Sequence, residues 1–225
     1  MRRLVRHSQA LKVLTIAAAV AAGLVLTATE ASAESEMTFQ AVRIGRTDVI
    51  SATGQITEST PDGFAAFLQE NPELRTGHPV VFLDSPGGRV VASIELGKLL
   101  RRVGAAAVVA RVQPDGEGGT VMTNAQCLSA CVYALIGARK RVIPAASMIG
   151  IHRMFAYEAE VDPSGTTAVI HRRYDNGDLR GFLMRYSSEM GVSPGLIAAA
   201  EHVSSDELKI LSRAEIRRWH LGVAR

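Results

Sequence analysis

The run His78-Pro79-Val80-Val81-Phe82-Leu83-Asp84 limits the fold more than any other stretch of the chain. A continuous apolar run bounded by turn formers describes a strand covered on both faces. Such a strand belongs inside a parallel sheet with helices packed above and below it. The residues that follow supply the first of those helices. After Ser85-Pro86-Gly87-Gly88, apolar side chains recur at Val91, Ile94, Leu96, Leu99 and Leu100, basic residues fill the last turn, and Gly104 ends the pattern. Residues 105–112 are then a second buried strand.

The alternation continues along the chain. Residues 39–57, rich in Val, Ile, Phe and Thr, read as two strands or one bent strand with a break at Gly45-Arg46. Thr60 reads as the N-cap of a helix with Pro61 at its first position and Phe64, Phe67 and Leu68 on one face, stopping near Asn71-Pro72. A Gly-rich loop occupies residues 113–120. Cys127 to Ile136 is expected as a helix, and residues 140–144 and 147–153 as strands. Thr167 to Met190 is expected as one long polar helix whose apolar members are Val169, Ile170, Tyr174, Leu179, Phe182 and Leu183. A short helix at 193–203, a strand at 208–212 and a final helix at 212–222 complete an α/β pattern with a mainly parallel sheet.

The first 33 residues stand apart. Arg2, Arg3, Arg6 and Lys12 form a basic start, Val13 to Ala28 an apolar stretch, and Ala31-Ser32-Ala33 a small-residue cleavage site. This is the layout of a secretory signal peptide, the alternative being an uncleaved membrane anchor. The expectation is an exported, periplasmic protein with residues 34–225 as one domain. Removing residues 1–33 from the 225 leaves 192, enough for one sizeable core. It also removes four basic residues and Glu30, taking the formal charge from +3 to zero. The basic balance therefore belongs to the leader, and nothing electrostatic argues for nucleic acid or a membrane surface as partner.

Three places have residues suited to chemistry. At Ser85-Pro86-Gly87-Gly88 a strand meets a helix start whose backbone donors are unpaired, which suits an oxyanion site or an ordinary turn. Ser129 follows the Gly-rich loop at the start of a small-residue segment, as a nucleophile or as a helix cap. His152 closes a strand, as a general base or as a satisfied core histidine. Cys127 and Cys131 are the only cysteines. Too few for a disulfide scaffold and lacking partners for a zinc site, they read as two small buried side chains or as one local bridge. Four residues apart in a regular helix, their Cβ atoms are too far from each other, so a bridge requires Cys127 to lie outside the helix. No Gly-Lys-Ser/Thr phosphate loop is present, and no cofactor or metal is expected.

Taken in order, "DSPGG", the helix to Gly104, Ser129 before "ALIGARKRVIP", and "SMIGIHR" resemble the Clp protease proteolytic subunit and its crotonase-like superfamily, including the signal peptide peptidases. The likeness runs from about residue 40 to the C-terminus and is nearest to exported bacterial proteins of this group with a Ser-Ala-Cys segment. It implies a ClpP/crotonase-like α/β fold built of repeated ββα units, with a mainly parallel sheet and flanking helices. It places Ser129 at the nucleophile, His152 at the general base, and Gly88 and Ala130 at the oxyanion-hole amides. It implies a homo-oligomer, with the 167–190 segment where the family uses a helix for contacts.

The chain departs from the family pattern in three places. Gln126-Cys127-Leu128 replaces a glycine-containing approach to the serine, and a bridge between Cys127 and Cys131 would pin that turn in the glycine's place. Residues 113–124 lengthen the connection before the serine and suit a lid over the substrate groove. Ser204 falls at the acidic triad position, while Asp206 lies two residues on, on the same face of an extended segment. Asp206 is the expected third catalytic residue, with an acid-free pair or loss of activity as the alternatives. The reading is an exported, ATP-independent serine hydrolase, a peptidase acting on peptides or unfolded chains. Its rivals are an inactive binding or assembly protein on the same scaffold and crotonase-type acyl-CoA chemistry.

Overall fold

The computed structural model describes residues 35–75, 77–162, 167–174 and 177–224, so the expected leader at 1–33 lies outside the described residues. Alternating side chains build the first hairpin, β1 (Thr38–Ile44) against β2 (Thr47–Thr53). Gly45 adopts φ +59° in the two-residue turn between them, a conformation that hairpin turns require and side chains resist. Helix α1 (Thr60–Glu70) begins at the expected cap residue itself, with Ser59 in the cap position, and Thr60 Oγ1 accepts from the Thr57 amide at 2.9 Å. Its Phe64 is buried and meets Phe39 of β1 with ring centroids 5.1 Å apart.

The apolar run becomes β3 (Val80–Asp84), fully inside the main sheet, and α2 (Val90–Arg102) follows the double glycine. The second run divides into β4 (Ala106–Val108), which joins the main sheet, and β5 (Ala110–Pro114), which leaves it. β5 pairs antiparallel with β6 (Thr120–Asn124), so the Gly-rich segment is the tip of a hairpin. Then come β7 (Gln126–Leu128), α3 (Cys131–Gly137), β8 (Lys140–Ile143) and β9 (Met148–Ile151). The rest comprises β10 (Phe155–Val161), β11 (Ala168–Tyr174), α4 (Asp178–Glu189), α5 (Gly195–Glu201), β12 (Lys209–Ile210), α6 (Arg213–Arg218) and β13 (Val223–Ala224).

The main sheet has the order β1-β2-β3-β4-β8-β13, parallel throughout except for the β1–β2 hairpin. A second sheet, β12-β9-β7, carries the parallel pair β7–β9. This is the expected mixed α/β architecture. The helices that leave the two sheets, α2 and α3, cross at glycine. A Cβ on Gly137 would lie 2.2 Å from the Gly97 carbonyl oxygen, so neither helix has room for a side chain there. The close approach sets the two helix starts at a fixed spacing, and both starts belong to the site described below.

Two expected elements differ. The segment 127–136 is not one helix: Cys127 is in β7, and the helix starts at Cys131. The expected helix from 167 to 190 is strand β11 followed by α4, whose preceding residue Gly177 has φ +116°. β-branched and aromatic residues in β11 fit a pleated hairpin with β10, in which Phe155 faces Tyr174 and Glu158 faces His171. Every residue of β11 is exposed, so no buried face imposed either periodicity on its sequence.

Near the C-terminus, Ser212 caps α6 through a reciprocal box: its Oγ accepts from the Glu215 amide, and Glu215 Oε2 accepts from the Ser212 amide at 2.9 Å. The Lys209 ammonium and the Ser212 donors lower the Glu215 carboxyl to about 2. Because the folded value lies below the unfolded one, this stabilisation is full above the ordinary carboxylate range and fades as pH falls toward about 2. Glu215→Gln is expected to lower stability by about 1 kcal/mol at neutral pH. In denaturant titrations the deficit shrinks below about pH 4 and vanishes near pH 2.

Candidate active site

Two strand-to-helix turns meet at one point. In the first, β3 delivers Asp84 and Ser85, and the chain turns through Gly87 and Gly88 into α2. In the second, β7 delivers Ser129 and the chain turns into α3. Backbone hydrogen bonds stitch the two together: the Ser85 amide donates to the Gln126 carbonyl at 2.8 Å, and the Leu128 amide donates to the Ser85 carbonyl at 3.0 Å. The buried Asp84 carboxylate reinforces the join, accepting from the Gln126 amide at 3.2 Å and pairing with Arg111 of β5.

The turn at Ser129 is tight. Ser129 has φ +52°, the left-handed region, which costs a residue with a side chain about 1–2 kcal/mol. Its amide donates to the Gly150 carbonyl at 2.8 Å. Gly87 packs directly against it: a Cβ there would lie 2.7 Å from the Leu128 carbonyl oxygen and 2.8 Å from the Ser129 Cβ. The turn has no glycine of its own, and the neighbouring turn supplies the missing space. Cys127 and Cys131 are joined in a disulfide with Cα atoms 5.2 Å apart, one in the strand before Ser129 and one at the head of the helix after it.

His152 follows β9, the strand paired with β7, and this parallel register brings it to Ser129. The His152 Nε2 lies 2.7 Å from Ser129 Oγ. Its Nδ1 lies 2.8 Å from the Arg153 carbonyl oxygen, which can only accept, so Nδ1 carries the proton and Nε2 is free to accept from the hydroxyl. The amides of Gly88 and Ala130 have no hydrogen-bond partner among the described residues. Gly88, Ser129 and His152 line one cleft of about 2020 Å³, well above the roughly 300–1,000 Å³ of small-molecule sites. A separate apolar pocket formed by Val132, Tyr133, Ile151, Met154, Leu196 and Ile197 reaches the same serine and histidine.

Asp206 is not part of this cluster. The expected extended segment is a turn, closed by the Asp206 amide donating to Ser204 Oγ at 3.3 Å, and strand β12 starts only at Lys209. The Asp206 carboxylate is exposed and pairs with Arg172 of β11. The group facing His152 Nδ1 is a main-chain carbonyl, which has no side-chain signature and so no sequence signal. Gly87 and Asp84 were within reach of sequence reasoning, since both belong to the "DSPGG" segment. Among the described residues, no three His, Cys, Asp or Glu side chains are grouped to hold a metal ion.

The fold is ClpP-like: a central, mostly parallel sheet with flanking helices, here presenting a serine–histidine pair at two strand-to-helix turns. Among solved structures, the chain is similar to a variant of the 1510-N membrane-bound stomatin-specific protease, with TM-score 0.53, 16% identity, and 77% of this chain and 76% of that chain covered. It is similar to a second variant of that protease in complex with a substrate peptide, with TM-score 0.52, 17% identity, and coverage of 77% and 72%. No family model and no curated protein matches the chain.

The packing of Gly87 has a direct consequence. Gly87→Ala places a methyl group against the backbone of the Ser129 turn at a residue with φ +111°. It is expected to cost about 1–3 kcal/mol in thermal or denaturant unfolding. Gly45→Ala, which meets nothing within 4 Å, isolates the conformational part of that cost.

Proposed function

We propose that the chain is an exported, ATP-independent serine peptidase acting through a Ser129–His152 pair. The observation that carries this reading is the 2.7 Å contact between His152 Nε2 and Ser129 Oγ, with the imidazole already in the tautomer that accepts a proton. Ser129 Oγ attacks the substrate carbonyl carbon while its proton passes to His152 Nε2. The carbonyl oxygen becomes an oxyanion held by the unpaired amides of Gly88 and Ala130. Collapse expels the amine, which takes the proton back from His152, and leaves an acyl-serine. Water, deprotonated by His152, then releases the acid and restores the serine. In this scheme the Arg153 carbonyl orients the imidazole, and Asp206 has no catalytic part.

The open cleft suits an extended chain, which supports a peptide or unfolded protein as substrate. The likeness to a stomatin-specific protease, one variant of which holds a substrate peptide, points the same way. We further propose a periplasmic homo-oligomer. The exposed apolar side chains of the β10–β11 hairpin, Tyr157, Val161, Val169 and Ile170, support association. A second reading, a non-catalytic binding protein on this scaffold, draws on the absence of a carboxylate at His152 Nδ1.

A fluorophosphonate probe tests the reading. The folded wild type is expected to label at one site, mapped by mass spectrometry to Ser129. Ser129→Ala abolishes labelling, His152→Ala slows it by about 10²–10⁴-fold, and Asp206→Ala leaves the rate unchanged. A folded wild type that never labels would leave the binding protein standing.

A further inference from the structure

We infer that the Cys127–Cys131 disulfide is a positioning element for Ser129, so that the activity proposed above, on which this inference rests, requires the bridge to be oxidised. The bridge joins the residue two before the serine to the residue two after it, closing a short ring with Ser129 at its centre. Both cysteines are buried, whereas Ser129 is half-buried at the cleft. At φ +52°, Ser129 holds a conformation that a residue with a side chain leaves when its neighbours permit.

Besides the packing of Gly87 and the contact with His152, the other restraints on the turn are backbone hydrogen bonds. On the incoming side, Ser129 and Leu128 donate to the Gly150 and Ser85 carbonyls. On the outgoing side, the Val132 amide donates to the Ser129 carbonyl at 3.1 Å, at the head of a helix of only seven residues. None of these spans the serine from strand to helix. The disulfide does. Without it, rotation about the Ser129 backbone moves Oγ away from His152 Nε2, and a misplacement of about 1 Å costs on the order of a hundredfold in rate.

The chemistry of the switch is ordinary thiol–disulfide exchange. When local opening of the turn exposes a sulfur, a dithiol such as dithiothreitol attacks it as its thiolate, and the mixed disulfide then closes to the reagent's cyclic disulfide. Two electrons and two protons pass to the protein, leaving Cys127 and Cys131 as thiols. Oxidised glutathione reverses the step, taking up the two electrons as two molecules of reduced glutathione. Neither cysteine lines the cleft or the apolar pocket, so loss of the bridge acts on turnover more than on substrate binding.

The test uses the full chain. Wild type partly reduced by dithiothreitol is labelled with a fluorophosphonate, and intact-mass analysis after thiol alkylation compares the labelling rate of bridged and reduced molecules in one sample. Near-ultraviolet circular dichroism reports folding. The expected result is a ten- to hundredfold slower reaction of the reduced, folded form. For a peptide ester substrate, kcat falls with KM within about twofold, oxidised glutathione restores kcat, and Cys127→Ala/Cys131→Ala matches the reduced enzyme and ignores the reductant. Equal labelling of bridged and reduced molecules would overturn the inference, as would a slowing that only follows loss of the folded signal. Failure of the bridged wild type to label at all would instead remove the hydrolase reading, and this inference with it.

Discussion

The pairing of Ser85 with β7 is the interaction on which the site depends. It is short: two backbone hydrogen bonds and one buried carboxylate on the Gln126 amide. Yet it couples two sheets, because Ser85 extends β3 of the main sheet while β7 belongs to the smaller one. Each strand then turns into its own helix, and those helices meet again at Gly97 and Gly137. The two turns are therefore held from below by strands and from behind by a glycine crossing. The Ser129 hydroxyl and the Gly88 amide, on separate turns, keep a constant spacing only if both connections hold. Hydrogen bonds buried in this way are favourable because neither partner has water to fall back on.

Much of this arrangement was legible in the sequence because it rests on strong local signals. Four apolar residues between turn formers gave a doubly covered strand, and the double glycine marked a close approach of backbones. The order of serine and histidine along the chain brought both to the ends of strands that turn out to pair, β7 and β9. What escaped has a physical reason in each case. The segment 167–190 has apolar residues at spacings compatible with a helix, but its first half is an exposed hairpin stabilised by cross-strand pairs, and such pairs are long-range facts. The start of the helix at Cys131 has no local signal, because small apolar residues suit a buried strand and a buried helix equally. The partner of the imidazole escaped because every residue possesses a carbonyl.

Asp206 illustrates the difference between a residue's chemistry and its address. A carboxylate two positions from the family's acidic site has the right functional group, and in an extended segment it would have the right face. The turn closed on Ser204 removes that premise. Its charge is used elsewhere, against Arg172, which also donates to Ser205 Oγ at 3.1 Å and stacks on Phe155 with its guanidinium carbon 4.6 Å from the ring centroid. An exposed ion pair of this kind contributes little on its own. Joined to the Tyr174–Ser205 hydrogen bond at 2.8 Å, it tethers β11 to the loop after α5.

That tether ends beside His152. Arg153, next to His152, is held by its amide to the Val203 carbonyl at 3.0 Å, in the same loop that Asp206 and Ser205 occupy. Its guanidinium lies over the Tyr174 ring at 4.3 Å and beside Glu201 at 3.6 Å. Its carbonyl accepts a hydrogen bond from His152 Nδ1. One residue thus connects the strand leading to His152, the loop after α5 and the hairpin forming one wall of the cleft. A carboxylate would orient an imidazole by charge. Here a neutral carbonyl does so, and its direction is set by everything that fixes the Arg153 backbone. The precision that a buried acid supplies electrostatically in a triad is supplied in this chain by packing around a single peptide unit, so the direction of the imidazole rests on the rigidity of its neighbours.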